Sequence, residues 1–143
     1  MINRILVVDD SAIVRALHSY ILRSAGFETV EAESGFAALE TLHRCPCALA
    51  VIDINMPRMD GLTLIRHIRA EPSTKEMPII VVSTEREAQD MRRGFEAGAN
   101  VYTVKPTEPE VLVANVRMLL KAGSSRLHTP VASSPVGGPI KSE

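Results

Sequence analysis

Two adjacent aspartates (Asp9-Asp10), a third at Asp53, the hydroxyl pair Ser83-Thr84 and Lys105 are the residues with types and spacing fit for chemistry. Each set closes a short apolar run: Ile5-Leu6-Val7-Val8, Ala48-Leu49-Ala50-Val51-Ile52, Ile79-Ile80-Val81-Val82 and Val101 to Val104. Three clustered carboxylates repel one another, so their pKa values rise unless a cation sits among them. Oxygen-only donors, with no Cys or His beside them, favour Mg²⁺ over zinc, and Mg²⁺ held by a few carboxylates completes its octahedron with waters and phosphate oxygens. A lysine and a hydroxyl opposite would hold the remaining phosphoryl oxygens. The set describes phosphoryl transfer in which a carboxylate is the nucleophile. No Walker-type loop or GxGxxG follows the first strand, so neither a nucleotide nor a dinucleotide is expected.

The runs that carry these residues are apolar on both faces, as central parallel strands are. Between them the period changes to that of helices. Ser11 is the expected N-cap of a helix with Ile13, Val14, Leu17, Tyr20 and Ile21 on its apolar positions, ended by Gly26. Phe27 to Ala32 alternates as a short strand, and Ser34 or Gly35 opens a second helix through Ala38, Leu39 and Leu42. Pro57 and Gly61 mark a loop before a third helix on Leu62, Leu64, Ile65 and Ile68. Ala88, Met91, Phe95 and Ala97 form a fourth, stopped by Gly98, and Val111, Leu112, Val116, Leu119 and Leu120 a fifth. Five strand–helix pairs imply an α/β fold, a doubly wound parallel sheet with right-handed crossovers and helices on both faces. In such sheets ligands bind outside the carboxyl ends of the strands, where all the candidate residues fall.

Composition bounds the alternatives. The 143 residues are one domain's worth, 45% apolar and 23% charged, which excludes wholesale disorder. The net charge of -1 argues against direct DNA binding through bulk charge. No apolar run approaches the roughly 18 residues of a membrane span, and the N-terminus lacks a signal-peptide shape, so the cytoplasm is the expected location. Residues 1–121 are expected to form the domain, and 122–143 a disordered tail. Eleven of the last 23 residues are Ser, Pro or Gly, too few apolar groups to offset ordering entropy. Cys45 and Cys47, separated by Pro46, suit neither a strain-free disulfide nor a complete zinc site. His18, His43, His67 and His128 show no ligand spacing and read as surface residues. Met56, Met59, Met77 and Met91 read as packing.

The segments ILVVDDS (5–11), VIDINMPRMDG (51–61), PIIVVSTE (78–85) and AGANVYTVKP (97–106) together resemble the signature segments of response-regulator receiver domains, over about 120 residues. With no fused output domain in the sequence, the likeness is to the single-domain, CheY-like members. That resemblance implies a flavodoxin-like fold with strand order 2-1-3-4-5. It implies Asp53 as the phosphoacceptor, Asp9 and Asp10 with Asp53 and the Asn55 carbonyl as Mg²⁺ ligands, and Lys105 at the phosphoryl group. It further implies Ser83 and Tyr102 as switch residues, Asn55 and Glu85 as tuners of phosphoryl lifetime, and a cis Lys105–Pro106 peptide. The implied partners are a sensor histidine kinase as phosphodonor and a downstream protein on the helix 4–strand 5–helix 5 face, roughly 86–120.

Taken singly, each residue has a plainer reading. Asp9-Asp10 could start a helix, Asp53 could belong to a loop, Ser83 or Thr84 could be an N-cap, Tyr102 a core aromatic and Lys105 solvated surface. Their joint appearance on successive strand ends favours function. A phosphatase with an aspartate nucleophile is the competing enzyme class. Such enzymes place a second aspartate two residues after the nucleophile, whereas here Asp9 is followed by Ser11 and Asp53 by Asn55.

Overall fold

The computed structural model describes residues 3–122 and 131–132. Its elements are β1 (Arg4–Val8), α1 (Ala12–Ser24), β2 (Glu28–Ala32), α2 (Gly35–Arg44), β3 (Leu49–Asp53), α3 (Gly61–Ala70), β4 (Ile79–Ser83), α4 (Ala88–Ala97), β5 (Val101–Val104), α5 (Pro109–Ala122) and β6 (Val131–Ala132). The sheet runs β2-β1-β3-β4-β5-β6, with every pair parallel. The first five strands thus have the expected order 2-1-3-4-5. β6 adds a two-residue strand outside β5, within the segment expected to be a disordered tail. Residues 123–130 and 133–143 of that segment, and His128 with them, lie outside the described residues.

The continuous apolar runs are explained by the two layers they serve. Successive strand side chains point to opposite faces. Leu6, Val8, Ala50, Ile52, Ile79 and Val81 pack with Ala38, Leu64, Ile65 and Ile68 on the α2–α3–α4 side. Ile5, Val7, Leu49, Val51, Ile80, Val82 and Val101 pack with Ile21, Leu22, Leu112, Val116 and Leu119 on the α1–α5 side. Met56, Met59 and Met77 are buried in the first cluster and Met91 packs against it, as expected of packing residues.

Local chemistry starts the helices where the strands end. Ser11 Oγ accepts from Val14 N, Ser34 Oγ from Ala37 N, and Asp60 Oδ1 from Thr63 N. Glu87 and Asp90 form a reciprocal capping box on α4. α1 and α4 stop at turns through Gly26 (φ 101°) and Gly98 (φ 127°), conformations that glycine adopts without a Cβ clash. No helix among the described residues is long and apolar enough to cross a membrane.

One expectation fails in the core. His18 is not a surface residue: it is 4% exposed on the inner face of α1, beside buried Ser19, Ile21 and Leu22. Burial pushes its pKa down, and its Nδ1 has no hydrogen-bond partner among the described residues. The neutral ring tolerates an apolar site that a solvated imidazolium would not. His43 and His67 are exposed, as expected.

Candidate functional site

Parallel pairing brings the carboxyl ends of β1, β3, β4 and β5 to one rim. Val8 pairs with Ile52, Asp53 with Val82, and Ser83 with Val104. Asp9 and Asp53 are buried there and Asp10 is exposed. Carboxylate oxygens of all three lie within 4.8 Å of one another. Lys105 reaches over the rim, with Nζ donating to Asp9 Oδ2 at 3.1 Å and to Asp53 Oδ1 at 3.3 Å. It follows β5 directly, and the Lys105–Pro106 peptide is cis.

Each buried carboxylate also takes a backbone donor, Asp9 on its second oxygen and Asp53 on the oxygen that Lys105 contacts. Asp9 Oδ1 accepts from Ser11 N at 2.9 Å, so the turn that caps α1 also holds Asp9. Arg15, from the second turn of α1, donates to the Asp9 carbonyl at 2.7 Å while bonding Glu31 on β2. Asp53 Oδ1 accepts from Asn55 N at 3.4 Å. The loop after Asp53 can lie this close to α3 because residue 61 is glycine. A Cβ there would collide with the Asp53 carbonyl oxygen and sit 2.7 Å from Ile54 Cα. Arg15 and Gly61 were not among the expected site residues. The glycine closes the VIDINMPRMDG segment, so its signal was present in the sequence.

The electrostatics are those of a site under repulsion. Burial, and then the neighbouring Asp9 carboxylate, push the Asp53 pKa up to about 6, against the pull of Lys105 and of the Asn55 amide. One ammonium does not neutralise three carboxylates, and the oxygen-only donor set suits a hard divalent cation. Asp10 does not cap α1, since Ser11 does; its exposed carboxylate is free of that structural duty.

Ser83 and Tyr102 lie beyond Asp53, toward α4. Ser83 is fully buried, and its Oγ accepts from Glu85 N at 3.0 Å. Tyr102 is also fully buried, and its hydroxyl donates to the Glu85 carbonyl at 2.8 Å. Both side chains therefore grip the same β4–α4 loop residue. Gly94 on α4 leaves the space that the Tyr102 ring fills, and Phe95 meets that ring edge-on at 6.3 Å. Asn55 Nδ2 donates to Glu85 Oε2 at 3.4 Å across the mouth of the site. Asn55, two residues after Asp53, and Glu85, two residues after Ser83, are thus hydrogen-bonded to each other. Cys45 and Cys47 are free thiols, and burial pushes Cys47 up to about 11, so it is a poor nucleophile at neutral pH.

Comparison with known proteins agrees with this geometry. The family model of the response regulator receiver domain matches residues 5–117. The chain belongs to the response-regulator receiver family. Chemotaxis protein CheY1 of Helicobacter pylori (strain J99) is 39% identical over 119 residues, 82% of this chain and 96% of that protein. The phosphate regulon transcriptional regulatory protein PhoB of Escherichia coli K12 is 34% identical over 121 residues, 85% of this chain, which spans only 53% of PhoB. Among solved structures, chemotaxis protein CheY4 of Vibrio cholerae superimposes with a TM-score of 0.79 at 30% identity, covering 82% of this receiver and 98% of that chain. The receiver is a signalling module of two-component systems, and its acidic pocket is of the kind in which receivers bind Mg²⁺.

Proposed function

We propose that this receiver is a phosphoacceptor that takes one phosphoryl group on Asp53 from the phosphohistidine of a sensor kinase, or from a small donor such as acetyl phosphate. The observation that carries the reading is the placement of Lys105 Nζ between Asp9 and Asp53, with three carboxylates converging below it. Asp9, Asp10, Asp53 and the Asn55 carbonyl would hold Mg²⁺, which supplies charge neutralisation for the entering phosphoryl oxygens. An Asp53 carboxylate oxygen forms the new bond to phosphorus as the donor's N–P or O–P bond breaks, and the donor's imidazole or acetate leaves. Lys105 and the Ser83 hydroxyl then face the phosphoryl oxygens. Lys105 already points at the acceptor, so little reorganisation is needed at the moment of transfer.

Loss of the acyl phosphate to water is slow and self-catalysed, with Asn55 and Glu85 setting access at the mouth. When Ser83 turns toward the phosphoryl group it releases Glu85 N, and the Glu85 carbonyl anchors Tyr102. The expected outcome is a population shift in the α4–β5–α5 face, where a downstream protein reads the signal. The rim also carries a surface suited to a protein donor. Ile13, Leu17 and Tyr20 form an exposed apolar stripe on α1, which starts two residues after Asp10. The composition supports location in the cytoplasm, with no direct contact to DNA.

Incubation with acetyl phosphate and Mg²⁺ should add one phosphoryl group by intact mass, and Asp53→Asn should add none. Normal labelling of that variant would overturn the assignment. The competing phosphatase reading predicts many turnovers on a phosphomonoester, against the single slow cycle expected here.

A further inference from the structure

β5 ends the five-strand pattern, and an edge strand presents unpaired N–H and C=O groups that natural sheets cover, twist or charge. Here the edge is covered by the chain itself. β6 pairs in parallel with β5, Val101 with Val131 and Tyr102 with Ala132. Tyr102, whose side chain anchors the β4–α4 loop, thus has β4 on one side of its backbone and β6 on the other. The connection is physically ordinary: β5, α5 and β6 repeat the strand–helix–parallel strand unit that builds the rest of the sheet.

The sequence around the strand limits it to a short patch. Pro130 precedes Val131 and Pro135 follows three residues after Ala132. Proline has no N–H to donate, so the segment can pair over only a few residues and offers a poor template for a further strand.

We propose that the outer edge of β5 is a strand-addition site for a short parallel peptide, filled in cis by the chain's own Val131–Ala132, so that a protein partner reading β5 by its edge must displace this segment. The regulatory consequence rests on the proposed α4–β5–α5 output face; the edge pairing does not. The occupant is the chain's own segment because that segment is seated there, in register, at the strand that carries Tyr102.

Hydrogen exchange on the full chain tests this. Val131→Pro removes the donor and blocks pairing, whereas Val136→Pro lies outside the paired residues and serves as control. Amides of Val101 to Thr103 should exchange about fivefold faster in Val131→Pro, the scale of one net backbone hydrogen bond lost, and as in wild type in Val136→Pro. A synthetic peptide of residues 128–135 in excess should restore protection to the Val131→Pro chain. Equal exchange in wild type and Val131→Pro, or no protection by the peptide, would overturn the proposal. The same samples are then phosphorylated with acetyl phosphate. Val131→Pro should accept the group normally, so failure of edge docking and failure of the phosphoacceptor reading are read separately.

Discussion

Arg69 and Lys105 stand at opposite ends of the same sheet and treat buried charge in opposite ways. At the amino end, Arg69 donates to the carbonyls of Gly98, Thr74, Lys75 and Met77 and to Asn100 Oδ1. Asn100 Oδ1 also accepts from Ile79 N, so one side-chain network ties the end of α3, the start of β4 and the α4–β5 turn. Burial lowers the Arg69 pKa, yet five acceptors surround the guanidinium. At the carboxyl end, Lys105 shares one ammonium between Asp9 and Asp53, with Asp10 close by, and the Asp53 pKa stands near 6. The first arrangement is complete without a ligand. The second is complete only when something positive joins the carboxylates. Function has left charge where folding would prefer neutrality, the usual trade-off at active sites.

Substitutions at the two ends should therefore shift stability in opposite directions. The largest effect belongs to Arg69→Met, which takes the donor from the partly buried hydrogen bonds to the Gly98, Thr74 and Met77 carbonyls together and should cost about 3 kcal/mol, a melting point lower by many degrees. If that variant melts like wild type, the network is not a stabilising anchor.

Asp53→Asn should do the reverse. A carboxyl whose pKa is raised in the fold contributes stability that is full below the unfolded value and lost as pH rises through about 6. Metal-free wild type should lose on the order of 2–3 kcal/mol of this contribution between about pH 4 and pH 7, and Asp53→Asn should not. The melting advantage of the variant should grow across that window and then level off. A constant difference between the two proteins at all pH values would show that Asp53 is not under repulsion. Saturating Mg²⁺ should flatten the wild-type profile.

Asp10→Ala sharpens the comparison further. The variant should melt slightly higher than wild type in chelator and respond far less to Mg²⁺. Wild type should gain about 2.7 kcal/mol at a hundredfold excess over Kd. Destabilisation of the metal-free variant, or a full response to Mg²⁺, would remove Asp10 from the metal site.

The smallest effect is expected at Tyr102→Phe, which deletes the hydroxyl that bonds the Glu85 carbonyl and the Ser83 side chain and should cost about 1 kcal/mol. Its phosphorylation should stay normal while the response of the α4–β5–α5 face weakens, read as smaller amide shifts on adding donor and Mg²⁺. An undiminished response would make Tyr102 a core residue alone.

Most of this was legible from residue order. Apolar runs closed by Asp9-Asp10, Asp53, Ser83 and Lys105 placed the elements and named the rim, because strand period, helix caps and strand-end chemistry are local properties. Gly61 also had a local signal, but its reason, the close pass of the Asp53 carbonyl, exists only when α3 folds against β3. The remaining features depend on which segments meet. His18 has no sequence mark that distinguishes it from exposed His43; it is buried because α1 turns that face to the core. Arg69 looks like any helix arginine until the chain just after α3 brings three carbonyls round it and the distant α4–β5 turn brings a fourth. The Ser/Pro/Gly composition of 122–143 predicts little burial, and it cannot report that Val131–Ala132 meets an open strand edge, since that pairing is made by backbone groups common to all residues. Composition and period are short-range information. The pKa of Asp53, the reach of Lys105 and the cover on β5 are set by groups tens of residues away, and only the closed sheet brings them within range.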